Sequence, residues 1–253
     1  MRIILLTKKC RYADIILSEL KQKNIKIEAV VIEKPKYGDV AVKARKILKK
    51  YGFADLLKAV IRRTANKFNS RKNRWINDRY YYNYTDNVSV VENFNGIESE
   101  KMLEGLRPDI IILAGTRIIK PNIIKIPSVG IINAHPGLLP KYRGVDVIPW
   151  AILNGDEPGV TLHFVDKGVD TGRIIQKQKI QIFKGDTINK LRKRAEIISA
   201  KMISECLLRN ADGHKITSEE NKIEFGKQYY KMNSETLKDA EKKLAGLIAK
   251  KQS

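Results

Sequence analysis

The sequence predicts an α/β fold, a Rossmann-like doubly wound and mainly parallel sheet with an antiparallel extension and C-terminal helices. Short β-branched runs alternate with stretches of helical period in the first half of the chain, as expected for successive βα units. Residues 109–113 are continuously apolar, which is typical of a parallel strand covered on both faces. Polar residues follow the next strand at its carboxyl end, where open α/β sheets bind ligands.

The elements of the first half follow from these periodicities. Residues 3–7 and 27–33 are predicted strands, and residues 13–23 between them form an amphipathic helix. Further along, the patterns predict a strand at 88–92, a helix at 99–106 with acidic residues in its first half, and strands at 109–113 and 129–133.

The pattern changes after residue 133. Residues 160–166 and 173–182 alternate between apolar and polar and are joined by a short glycine-flanked turn, which indicates an antiparallel pair. Residues 187–209 have a long helical pattern, and a lysine-rich helix is predicted at 234–250, with Ser234 and Asn233 competing as its N-cap. We therefore predict a catalytic domain over residues 1–210 and a small, largely helical extension over 211–253.

Composition restricts the class of protein. The chain has 253 residues, 43% hydrophobic and 30% charged, which fits a soluble globular protein. No apolar run approaches the roughly 18–20 residues that span a bilayer, and the first strand is too short for a signal peptide. Cys10 and Cys206 are too far apart in sequence to suggest a disulfide framework, and they lack metal-ligand spacing. We expect a cytoplasmic protein without a metal.

Three polar residues carry the functional prediction. Asn133 and His135 lie in the sequence NAHPGLLPKYRG, and because they alternate they leave the strand on the same face. Asp170 follows in a glycine-flanked VDTG turn. An amide can stabilise an oxyanion, an imidazole can move protons, and a carboxylate can orient the imidazole, so acyl transfer is the chemistry that fits. Each residue taken alone also has a structural interpretation as a strand end or turn former.

The order and spacing of these motifs resemble the N10-formyltetrahydrofolate-dependent formyltransferase family, most closely over residues 108–178. The resemblance implies that Asn133, His135 and Asp170 are the catalytic set, and that 10-formyltetrahydrofolate is the co-substrate. It also implies a pterin slot lined after the fourth strand and in the loop before Asp170. The residues predicted for this slot are Ile112, Leu113, Ala114, Gly115, Thr116, Arg117, Val165, Asp166, Gly168 and Val169.

The loop between the two halves of the site is predicted to contact the acceptor. Arg143 is a candidate for binding an acceptor phosphate, with a loop-anchoring ion pair as the alternative. Pro140 stiffens this loop and Gly144 lets it turn.

The acceptor is inferred by elimination within the resemblance. The turn after the first strand, TKKCRY, contains no glycine, whereas glycinamide ribonucleotide formyltransferases carry a glycine-rich loop there. Methionyl-tRNA formyltransferases continue into a β-rich C-terminal domain, which we do not expect in this chain. The remaining class formylates amino sugars, usually nucleotide-linked. A small amine on a phosphorylated or nucleotide-linked sugar is therefore the predicted acceptor.

A second feature is the charge. Residues 34–79 hold fifteen Lys and Arg against three Asp, which gives +12 of the net +21 of the chain. Apolar residues recur there at helical spacing with Arg62, Arg63 and Lys67 between them, which indicates a basic amphipathic helix. The simplest interpretation is a core-docked helix with a solvated lysine face. The alternative is an anionic partner: a diphosphate substrate, a nucleic acid or a membrane surface.

Several functions remain open from the sequence. A methionyl-tRNA formyltransferase-like enzyme and a hydrolase that passes the formyl group to water would use the same three residues. A basic protein that binds nucleic acid or a membrane surface without catalysis is the non-enzymatic alternative. The sequence also leaves open whether the protein forms a homodimer.

Overall fold

The computed structural model describes residues 1–34, 78–211 and 215–250. Its larger sheet has seven strands in the order β3-β2-β1-β4-β5-β7-β8, and a second sheet pairs β6 with β9. The strands are β1 (Ile3–Thr7), β2 (Ala29–Glu33), β3 (Val88–Val91), β4 (Ile110–Ala114), β5 (Gly130–His135), β6 (Tyr142–Gly144), β7 (Gly159–Phe164), β8 (Ile174–Lys179) and β9 (Lys227–Tyr229).

The five strands that lie in the order β3, β2, β1, β4 and β5 pair in parallel. Strands β7 and β8 continue the sheet in antiparallel pairing. The strand order reverses between β1 and β4, which is the switch point where such folds bind ligands. The described helices are α1 (Arg11–Gln22), α2 (Ile97–Leu106), α3 (Pro121–Ile124), α4 (Val147–Leu153), α5 (Ile188–Ala211) and α6 (Ser234–Lys250). The predicted fold class is confirmed.

Alternating side chains of the strands pack into two cores, one on each face of the sheet. Leu5 and Ile112 face α1 and α5, together with residues such as Leu17 and Met202. Ile4 and Ile111 point to the opposite face, towards α2 and α3. Strands buried on both faces explain the continuous apolar runs in the sequence.

Most predicted elements appear within a few residues of their expected bounds, and two differences affect the site. Strand β5 continues to His135, so Asn133 lies inside the strand and not at its end. The short elements β6, α4 and β9 had not been predicted, because three to seven residues give too little periodicity to recognise. The side chain of Asn233 caps α6 by accepting a hydrogen bond from the backbone nitrogen of Thr236 at 2.8 Å.

The C-terminal part of the chain packs against the catalytic half. Strand β9 runs parallel to β6, and the Tyr229 ring stacks on Tyr142 at 5.2 Å between centroids and lies 5.3 Å from Trp150. The division at residue 210/211 stays a prediction. The predicted basic segment 34–79 lies almost entirely outside the described residues. Across residues 1–34, 78–211 and 215–250, no helix is long and apolar enough to cross a membrane.

Candidate active site

Strands β5 and β7 bring two of the site's side chains together. Asn133 pairs with His163 and His135 with Thr161 in the antiparallel register, and directly paired residues share a face of the sheet. The Nδ2 atom of Asn133 lies 3.3 Å from Nε2 of His163. His163 had not been assigned a role from the sequence, although its register opposite Asn133 is the signal that could have revealed it.

The hydrogen bonds of His163 assign the orientation of the Asn133 amide. Nδ1 of His163 lies 2.8 Å from the carbonyl oxygen of Phe164 and therefore donates to it. In the neutral ring Nε2 is then an acceptor that receives one hydrogen from Nδ2 of Asn133, and the second hydrogen of that NH2 group is left for another acceptor. A protonated ring instead turns an N–H from Nε2 towards Oδ1 of Asp170, 3.6 Å away.

Asp170 lies in the loop between β7 and β8 and touches both imidazoles. Its Oδ2 accepts a hydrogen bond from the Gly144 backbone nitrogen at 2.8 Å and lies 3.4 Å from Nδ1 of His135. Its Oδ1 lies 3.6 Å from Nε2 of His163. Burial alone would raise the pKa of Asp170, but the two histidines and the Gly144 amide outweigh burial and lower it. Asp170 is therefore ionised at neutral pH.

His135 is buried behind Asp170. Its Nε2 lies 2.8 Å from the carbonyl oxygen of Tyr142, and its Nδ1 faces Asp170. Burial lowers the pKa of His135, with the Asp170 charge acting in the opposite direction. Because Nε2 donates to the Tyr142 carbonyl in the neutral ring, Nδ1 is a lone pair facing the ionised carboxylate, and a proton delivered to Asp170 can be held between the two groups.

A cavity of about 480 Å³ opens beside these residues at the switch point. Asn133, His163 and Asp170 line it, whereas His135 does not. Eight of the ten residues predicted for the pterin slot also line it: Leu113, Gly115, Thr116, Arg117, Val165, Asp166, Gly168 and Val169. The remaining two, Ile112 and Ala114, are fully buried in the core.

Arg117 is fixed at the edge of this cavity by a buried carboxylate. Its Nε donates to Oε2 of Glu33 at 2.8 Å, and the Glu33 side chain is fully buried at the end of β2. Lys8 lies 3.7 Å from the same carboxylate. The two cations compensate the buried charge, and sequence reasoning had not linked Glu33 to the site.

The three residues predicted to contact the acceptor do not line the cavity. Gly144 instead supports Asp170 through its backbone nitrogen, and its φ of +100° is one that few other residues adopt. Arg143 has a buried Nε without a hydrogen-bond partner among the described residues. Pro140 follows a cis peptide bond in the loop before β6.

A further part of the cavity wall is formed by α1, α4, α5 and the residue before α4. Beside apolar side chains of α4 and α5, it contains five polar residues: Tyr12, Asp146, Arg192, Glu196 and Ser199. Arg192 pairs with Asp146 at 2.9 Å, and burial raises the pKa of Glu196. None of these five residues had been singled out from the sequence. In the part of the chain that the structure describes, no three His, Cys, Asp or Glu side chains come together as a metal site.

Comparison with known proteins identifies the family of the chain. The sequence profile of the family described as Formyl transferase matches residues 1–207. The chain belongs to the formyl transferase family. Its 207 matched residues include Asn133, His135, His163 and Asp170.

Relatives found by sequence comparison carry the name methionyl-tRNA formyltransferase. Methionyl-tRNA formyltransferase of Pelotomaculum thermopropionicum is 40% identical over 108 residues, which are 42% of this chain and 34% of that protein. The match thus spans about a third of the length of this relative.

Solved structures show the same fold. Glycinamide ribonucleotide transformylase 1 from Symbiobacterium toebii has a TM-score of 0.61 at 18% identity, covering 87% of this chain and 93% of that one. An N-formyltransferase from Helicobacter canadensis, in complex with folinic acid and dTDP-3-aminofucose, has a TM-score of 0.59 at 19% identity, with 96% and 81% covered.

Proposed function

We propose that the protein transfers a formyl group from 10-formyltetrahydrofolate to the amine of a small acceptor. The observation that carries this proposal is the meeting of Asn133, His163 and Asp170 on the wall of one cavity, in a member of the formyl transferase family. The donor supplies the formyl carbon and a nitrogen leaving group.

The cavity suits a folate. Its volume of about 480 Å³ lies in the range of small-molecule sites. Apolar side chains of Leu113, Ile118, Val165 and Val169 line one end, next to the backbone of Gly115 and Thr116. Such a slot offers apolar walls for a flat ring and backbone donors and acceptors for its edge.

The side chains divide the chemistry between them. As the acceptor nitrogen bonds to the formyl carbon, negative charge develops on the formyl oxygen, and the free hydrogen of the Asn133 amide stabilises it. Asp170 accepts the proton that leaves the amine. His135 holds this proton jointly with Asp170 until it passes to the nitrogen of the donor as the old carbon–nitrogen bond breaks.

For the acceptor, the polar residues in the cavity wall formed by α1, α4 and α5 favour an amino sugar. The Glu196 carboxylate and the Tyr12 and Ser199 hydroxyls there can bind sugar hydroxyls as donors and acceptors, whereas Arg192 and Asp146 are paired with each other. A structurally similar enzyme binds dTDP-3-aminofucose. The second candidate is methionyl-tRNA, because the 40% identical relative carries that name. Both cysteines are free, so we also propose a reducing, cytoplasmic location.

A side-by-side formylation assay tests the acceptor. Purified protein and 10-formyltetrahydrofolate are incubated with nucleotide-linked amino sugars, with phosphorylated amino sugars or with charged initiator tRNA. Efficient formylation of the sugars supports the proposal, and use of the tRNA alone refutes the sugar assignment. Loss of formyl-folate without any amine acceptor would identify a hydrolase.

A further inference from the structure

The segment after α5 lies against the back of the active site at two places. Strand β9 pairs with β6, whose Tyr142 carbonyl and Gly144 nitrogen bind His135 and Asp170. Nearer to α5, Glu219 exchanges backbone hydrogen bonds of 2.8 and 2.9 Å with Ile174, at the start of β8. The second contact lies directly beside the loop that carries Asp170.

Asn221 is the residue of this segment that binds the backbone of the Asp170 loop. Its side chain is buried, with 7% exposed, and its Nδ2 donates to the carbonyl oxygens of Asp170 at 3.0 Å and Gly172 at 3.2 Å. Its Oδ1 is also buried and has no hydrogen-bond partner within the described part of the chain. Both hydrogens of the amide are thus used on this loop, and on nothing else.

The loop needs such a contact. Asp170 has a φ of +53°, a left-handed conformation that Asp adopts more readily than most residues other than glycine but that still carries backbone strain, so contacts of the surrounding chain help to hold it. The same conformation sets the direction of the carboxylate, which lies 3.4 Å from His135 and 3.6 Å from His163. A rotation of this backbone would move the carboxylate away from both imidazoles.

We propose that Asn221 is a positioning residue, which keeps the Asp170 carboxylate between His135 and His163 by binding the backbone of the Asp170 loop. Its effect on turnover rests on the proposed formyl transfer, whereas its effect on the histidines can be measured on the free protein. Asn221 lies outside residues 1–207 that match the family profile.

The first measurement is the titration of the imidazoles by NMR. The chain has three histidines, so few signals need assignment. The charged or titratable groups that act on His135 are Asp170, which raises its pKa, and His163, which lowers it. In Asn221→Leu the carboxylate moves away, and we expect the His135 pKa to fall by about one pH unit. A residue that served only packing would leave this titration unchanged.

The second measurement is turnover. A displacement of the carboxylate by about an ångström is expected to reduce kcat about 10²-fold, with little change in the KM for the folate. Ser218→Ala is the matched control, because Ser218 accepts a hydrogen bond from Arg173 at 3.0 Å in the same segment without touching the Asp170 loop carbonyls. It should keep wild-type kcat and histidine titrations.

Substitution by Leu removes the unpaired Oδ1 together with the two donors, which limits the loss of stability. Should Asn221→Leu not fold, Asn221→Ala carries the same test, since it removes both donors without adding volume or charge near the imidazoles. A folded variant with unchanged titrations and kcat, or an equal loss in Ser218→Ala, would overturn the proposal. Absence of formyl transfer by the wild type would instead refute the proposed function, while the titrations still decide the role of Asn221.

Discussion

At the scale of the residue, the amide of Asn133 can stabilise a formyl oxygen only if its NH2 group, and not its carbonyl oxygen, faces the cavity. The hydrogen bond of His163 to the Phe164 carbonyl leaves Nε2 as an acceptor for Asn133 at 3.3 Å. An Asn side chain without such a neighbour would present either end. The imidazole therefore determines the polarity of the site.

We expect Asn133→Ala to reduce kcat about 10²–10³-fold, as is common when one oxyanion donor is removed. His163→Ala should reduce it less, because the amide is then free to turn but still present. Since the two side chains act together, the double variant should lose less than the product of the single losses. Steady-state kinetics of the three variants measure this.

Asn122→Ala is a suitable control, because Asn122 donates to Glu100 at 2.8 Å and does not line the cavity. Near wild-type turnover in Asn133→Ala would refute the role of its amide. Fully multiplicative losses in the double variant would show that His163 acts independently of Asn133.

At the scale of the element, β6 couples the C-terminal segment to the catalytic loop. A Cβ on Gly144 would lie 2.1 Å from the carbonyl oxygen of Tyr229 in β9. We expect Gly144→Ala to separate the two strands, to weaken the 2.8 Å hydrogen bond to Asp170 and to lower both Tm and kcat. Thermal unfolding and kinetics on one preparation measure the two effects.

Gly155→Ala is the control that separates the effect of backbone strain from the effect of the contact between β6 and β9. Gly155 also has a positive φ, +79°, but a Cβ there meets nothing within 4 Å. We expect Gly155→Ala to lower the free energy of unfolding only by the backbone strain, about 1–2 kcal/mol, and to leave kcat unchanged. Equal losses in both variants would mean that the contact between β6 and β9 contributes nothing to catalysis.

Helix α1 contains a carboxylate that weakens the fold at neutral pH. Burial raises the pKa of Asp14 to about 6, and its Oδ1 has no hydrogen-bond partner in the described ranges. Between about pH 4 and that value the folded protein binds a proton that the unfolded chain, with a pKa of about 3.9, has released. Stability therefore falls as the pH rises through this window.

Asp14→Asn should remove this penalty. We expect a gain of about 1 kcal/mol at pH 8, less than the pKa difference alone implies because Asp14 is partly exposed, and no gain at pH 4. Denaturant unfolding at the two pH values measures it, with the exposed Asp86→Asn as control. A gain of equal size at both pH values would contradict the titration.

Sequence periodicity predicted the long elements well because each places several apolar residues on one face, as in β4 and α5. It could not predict β6 and β9, because three residues on each strand pair only through a tertiary contact. The predicted catalytic residues came from two short motifs, one around Asn133 and His135 and one around Asp170, and from their resemblance to the formyltransferase family. His163 and Asn221 were not found, since their roles depend on strand register and on a contact 51 residues away.

At the scale of the whole molecule, the net charge of +21 should speed the capture of an anionic acceptor. Residues 34–79 contribute +12 of it. Neutralising Arg62, Arg63 and Lys67 together should raise the acceptor KM and flatten its salt dependence, because exposed charges are screened beyond about 8 Å at physiological salt. The folate KM should change little.

The same triple variant distinguishes the other interpretations of this segment. Loss of liposome or oligonucleotide binding with unchanged kinetics would indicate a membrane or nucleic-acid surface. If none of these measurements changes, the simplest interpretation remains, a core-docked helix with a solvated lysine face. A matched variant in which three lysines of α6 are neutralised (Lys238, Lys242 and Lys243) removes the same total charge and is the control.

The contact between Asn221 and the Asp170 loop also has a consequence for the order of folding. The strands β1, β4 and β5 and the helix α1 consist of residues that precede Asp170, whereas the Asp170 loop is completed only when a chain segment 51 residues further on returns to it. Closing such a loop is slow relative to forming a helix. During refolding, the circular dichroism signal should therefore recover before enzymatic activity does.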